Sequence, residues 1–168
     1  ERQRAFTALT SFAPDKSLIH VFQLKYDYHN VKAILKGMAQ DKDYTAMLST
    51  CGCIDPQRLA ALINEGDYNP LSPAMRKAIT EAREVLNRTR DPQYADTVLD
   101  RACYGEMLTL ARNSSSSFLL QYVQLLIDSI NLRTAVRLKI RGLSSDYLRQ
   151  FFISGGSIAI NRLLTDLT

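Results

Sequence analysis

An all-α fold is predicted by three features of this 168-residue chain. Apolar side chains recur at helical spacing over long stretches, as in Leu18, Val21, Phe22, Leu24, Tyr28, Val31, Ile34, Leu35 and Met38. Asp55-Pro56, Ser72-Pro73 and Asp91-Pro92 are helix starts, because the side-chain oxygen accepts orphan amides and Pro lacks one. No segment sustains the period-two alternation of β-branched residues that a strand needs.

The elements follow in order. A helix precedes Pro14, and Pro14-Asp15 opens a long helix whose early stop signal is Gly37. Asp43 to Leu48 has room only for a short helix, and Cys51-Gly52-Cys53 is a turn. Asp55-Pro56 then opens a helix through Leu62 and Ile63 that stops at Gly66. Ser72-Pro73 begins one carrying Ile79, Ala82, Val85 and Leu86, and Asp91-Pro92 begins another through Val98, Ala102 and Leu108. The tract Asn113-Ser114-Ser115-Ser116-Ser117 reads as a linker or cap. Phe118 to Arg141 is one long helix closed by Gly142, and a short helix lies around Asp146 to Phe152. After the Gly155-Gly156 turn, Ser157 caps a last helix that reaches Leu164.

Composition narrows the class. With 46% apolar and 23% charged residues the chain can bury a sizeable core, which excludes a disordered tail. Lys or Arg interrupts every apolar run before the about 18–20 residues of a membrane span. The net charge of +4 is spread along the chain rather than gathered in a patch, which argues against a nucleic-acid partner. Three Cys and two distant His make no zinc set, and a Cys51–Cys53 bridge across one residue is badly strained, so reduced thiols and no cofactor are expected. No secretory leader follows the charged start, and the absence of an initiating Met predicts an excised piece.

The two longest helices repeat one another. A shift of 101 sets Leu24 on Leu125, Asp27 on Asp128, Asn30 on Asn131, Val31 on Leu132, Lys32 on Arg133, Leu35 on Val136 and Lys36 on Arg137. Further on, Tyr44 matches Tyr147, Gly52 matches Gly155 or Gly156, Ile54 matches Ile158, and Arg58-Leu59 matches Arg162-Leu163. The expected organisation is a repeat of about 100 residues, with residues 1–117 a nearly complete unit and 118–168 the first half of a second. Asp27 and Asn30 share one helix face, as do Asp128 and Asn131. On an apolar stripe such groups need partners, and each Asp is expected to pin its own Gly turn by accepting backbone amides. Arg133, Arg137 and Arg141 lie four apart with no acid between Asp128 and Asp146, and Lys32 and Lys36 form a weaker stripe with Lys25. These are candidate partner-binding positions. His29 and His20 read as structural, and no catalytic constellation is found.

The run Leu24-Lys25-Tyr26-Asp27-Tyr28-His29-Asn30-Val31-Lys32 and its counterpart Asp128-Ser129-Ile130-Asn131-Leu132-Arg133-Thr134 resemble repeat helices of the C subunit of V-type ATP synthases, the relative of the d subunit of eukaryotic V-ATPases. The stretch from Leu143 through Phe151-Phe152-Ile153-Ser154-Gly155-Gly156-Ser157 to Ile158 resembles that family's Gly-Gly segment. The resemblance implies three similar helical domains arranged as a funnel, here with one domain complete and another half present. It implies a non-catalytic role: joining the central rotor stalk to the membrane proteolipid ring on the cytoplasmic side and transmitting torque for proton or sodium transport. The alternative is a helical nucleic-acid-binding or scaffold adaptor using the Arg133, Arg137, Arg141 face. A shortened second unit is also expected to expose Phe151, Phe152, Ile160 and Leu163 and to self-associate through them.

Overall fold

The computed structural model describes residues 1–12, 16–140 and 149–165. Among them every regular element is helical: α1 (Arg2–Phe12), α2 (Lys16–Gln40), a 3₁₀ turn (Thr45–Met47), α3 (Pro56–Glu65), α4 (Pro73–Thr89), α5 (Pro92–Asn113), α6 (Ser117–Ile140) and α7 (Ile160–Thr165). Local chemistry explains the starts. The Asp55 carboxylate accepts from the amides of Gln57 and Arg58, and Ser72 accepts from Met75. Asp91 accepts from the Gln93 amide at 2.9 Å, and Ser116 of the serine tract accepts from Leu119 at 3.3 Å.

The chain forms two compact units, Glu1–Cys103 and Tyr104–Thr168. This division falls inside α5 rather than after the serine tract at 117. The reason is that Asp96 and Asp100 bond to α2, whereas Leu108 lies over Gly155.

In the first unit α2 is the central post. It packs on α1, α3 and α4, and Val21, Leu24, Tyr28, Val31, Ile34 and Leu35 are all buried. A helix apolar on most sides requires neighbours on most sides. Phe6 of α1 meets Tyr26 edge-on at 5.9 Å. Leu59 and Ile63 of α3, Met75, Ile79 and Ala82 of α4, and Ala95 and Leu99 of α5 complete the core. In the second unit α6 buries Leu119, Val123, Ile127 and Ala135, and Ala135 clusters with Phe152 and Leu163.

Three expectations need correction. Gly37 does not stop α2, which runs to Gln40 and ends where Asp41 turns to φ 51°. Gly37 is instead a close-approach site, because a Cβ there would overlap the Tyr44 ring. Ser157 does not cap the last helix, which starts three residues later at Ile160. Its amide is used elsewhere, by Asp128. Phe152 and Leu163 are buried against their own chain and Phe151 and Ile160 are half-buried, so the exposed apolar positions lie elsewhere, on α6. Pro14, Asp15, Arg141, Gly142, Asp146 and Tyr147 lie outside the described residues.

Asp55→Ala removes both cap bonds of α3 and should lower stability by about 1 kcal/mol. A thermal scan should register this as a fall of roughly 2–4 °C for a chain of this size.

Candidate functional site

The most organised polar geometry is a carboxylate–amide clamp that occurs twice. Asp27 is buried on α2, and its two oxygens accept from the amides of Cys53 and Ile54, each at 3.0 Å. One turn on, Asn30 donates from Nδ2 to the Ser49 carbonyl at 2.8 Å and accepts from the Ser49 amide at 2.7 Å. On α6, Asp128 accepts from Ser157 at 3.0 Å and from Ile158 at 3.1 Å. Asn131 donates to the Ile153 carbonyl at 2.8 Å and accepts from its amide at 2.9 Å. Helix spacing makes this possible, since residues three apart project to one side while the returning segment runs alongside.

The glycines belong to the same geometry. A Cβ on Gly52 would overlap Asp27 Oδ1, and a Cβ on Gly156 would overlap Asp128 Oδ1. Gly156 is therefore the counterpart of Gly52. Gly155 does different work: at φ +103° it carries the turn past Leu108. Each carboxylate oxygen accepts one backbone amide, which suits a structural tie.

The Asp27 clamp marks its surroundings. Burial, and then the nearby Asp27 charge, push the Cys53 thiol up to about 12. Its sulfur donates to Gln23 Oε1 at 3.3 Å. His29 Nε2 lies 3.0 Å from the Met47 carbonyl, holding the 3₁₀ turn. Among the described residues no group of three or more His, Cys, Asp or Glu side chains is placed to hold a metal ion. No described helix is long and apolar enough to cross a membrane.

The basic stripes separate on inspection. Lys32 pairs with Asp100 at 2.5 Å and Lys36 with Asp96 at 2.6 Å, so these two lysines of the first stripe form ion pairs within their own unit. Burial raises the Asp100 carboxyl above its ordinary range, against the pull of Lys32. The folded chain thus holds that proton more tightly than the unfolded chain, and this group's contribution to stability improves as pH falls through its raised native value. The Oδ1 of Asp96 is buried without a hydrogen bond. Sequence reading missed both acids, although their spacing of four on one helix face was a usable signal. Arg133 and Arg137 are exposed, with Arg133 donating to Ser129 Oγ at 3.2 Å, and Arg141 lies outside the described residues.

Comparison with known proteins agrees with this frame. The chain matches the ATP synthase (C/AC39) subunit family over residues 1–166, and it belongs to that family. It is 23% identical over 165 residues to the C subunit of the V-type sodium ATPase of Enterococcus hirae, covering 98% of this chain and 50% of that one. Against the C subunit of the V-type ATP synthase of Thermus thermophilus it is 26% identical over 153 residues, covering 84% and 44%. The C subunit of an A-type ATP synthase from Thermococcus kodakarensis is 33% identical over 85 residues, covering 49% and 23%. The chain spans about half the length of the first two relatives. No solved structure matches it at comparable significance.

Asp128→Ala leaves two partly buried amides without an acceptor and should cost about 2–4 kcal/mol. Gly156→Ala displaces the same carboxylate, so thermal or denaturant melts of the double variant should show less than the sum of the single losses. Cys53 should alkylate about tenfold or more slower at pH 8 than the same thiol in the unfolded chain, because its raised pKa leaves less thiolate, a loss partly offset by the greater nucleophilicity of the thiolate that remains. Mapping iodoacetamide adducts by mass spectrometry over time reads this directly.

Proposed function

We propose that the chain is a non-catalytic part of the central stalk of a V-type rotary ATP synthase or ATPase. It lies peripherally on the cytoplasmic side of the membrane, joins the rotor stalk to the proteolipid ring, and transmits torque for proton or sodium transport. The observation that carries this reading is the family match along residues 1–166. The helical clamps fit it, because a part that carries torque needs connections that resist shear, and paired backbone ties fixed by buried carboxylates provide them. Asp27, Asn30, Gly52, Asp128, Asn131 and Gly156 act in this reading as structural residues, with Gly155 shaping the second turn. The recurrence of the clamp supports a repeat of about 100 residues, with the second copy present in part.

A tagged copy expressed in cells with a V-type complex should co-purify with stalk proteins and the membrane ring after mild detergent extraction. Recovery of the chain free of both, while the complex assembles without it, would sink the proposal. Asp27→Ala should reduce incorporation of the chain into the complex.

A further inference from the structure

The two long helices share a clamp but differ in what covers them. On α2, Leu24, Val31 and Leu35 are 3%, 0% and 4% exposed. Their counterparts on α6, Leu125, Leu132 and Val136, are 68%, 44% and 54% exposed, and Ile140 continues the stripe at 81%. Single exposed leucines are normal, but a continuous row along one helix face marks a contact surface. The charges follow the same correspondence. Lys32 and Lys36 are answered by Asp100 and Asp96, two acids one turn apart on α5. Arg133 and Arg137 stand in the matching places, and among the described residues no carboxylate lies within ion-pair distance of either. The order of pairing, Lys32 with Asp100 and Lys36 with Asp96, means that α5 runs antiparallel to α2 there.

We propose that the open face of α6 receives an acidic amphipathic helix from outside these 168 residues, seated antiparallel as α5 is on α2. Its apolar side covers Leu125, Leu132 and Val136, and two carboxylates one turn apart meet Arg133 and Arg137. Charge complementarity selects this occupant over a second α6. Two copies of α6 packed face to face would bring four arginines together without an acid to answer them. Arginine suits the role, because its planar fork can take a carboxylate through two hydrogen bonds.

The test fuses a flexible linker and a second copy of residues 72–113, the helix pair carrying Asp96 and Asp100, to the end of the full chain. Tethering raises the local concentration of this probe to about the millimolar range, so a marginal helix pair still has the chance to seat. A Leu132→Cys reporter should react with maleimide at least about tenfold more slowly in the fusion than in the unfused chain. Arg133→Glu with Arg137→Glu should restore the unfused rate, and Asp96→Lys with Asp100→Lys in the appended copy should bring protection back. Circular dichroism of each variant checks that the fold is retained. Equal labelling with and without the probe overturns the proposal. So does protection that appears without the probe and rises with protein concentration, which would make a second copy the occupant. Protection by a nucleic-acid duplex but not by the probe would overturn it as well.

Discussion

Everything in the two units hangs from a buried carboxylate that needs donors and a turn that needs an acceptor. A chain that doubles back beside a helix exposes amides that no regular element satisfies, and burying them unpaired costs about 1–3 kcal/mol each. Asp27 and Asp128 solve both problems with one side chain, and Asn30 and Asn131 close the next step by bonding a residue's carbonyl and amide together. The glycine requirement follows from the same contact, since the carboxylate sits where a Cβ would be. The core then packs around a segment whose path is already fixed.

Much of this was legible in the amino-acid sequence, and the reason is physical. A charged residue repeated on an apolar helix face is costly in either place unless it has a fixed partner, so Asp27 with Asn30 and Asp128 with Asn131 stand out. The helix starts at Pro56, Pro73 and Pro92 were equally plain, because capping is local chemistry. The pairing of Lys32 with Asp100 spans 68 residues, and nothing near Lys32 announces it. Basic residues on a helix default to solvent, and only the packing of α5 reverses that. Gly37 misled for a related reason. Its freedom suggested a stop, whereas the structure needs its small size beneath Tyr44. The burial of Phe152 and Leu163 could not be read either, because it depends on the returning segment meeting Ala135.

The two units also show how one motif tolerates different company. α2 is enclosed on nearly all sides, and α6 on one. The clamp is common to both, so it does not depend on the helices that enclose α2. Membership of the C/AC39 family, in relatives about twice as long, gives this independence a use: a motif that is stable by its own bonds can be repeated along a chain while its neighbours change.

The ties are short in sequence. Asp27 reaches Cys53 across 26 residues and Asp128 reaches Ser157 across 29. Contacts of low sequence separation cost little loop entropy and form early, so each clamp can close before the rest of its unit has been assembled. During synthesis at about 5–20 residues per second, the first would have its parts outside the ribosome several seconds before the second. The molecule can therefore fold from its N-terminus as a succession of closed loops, with the earlier one complete while the later one is still being made.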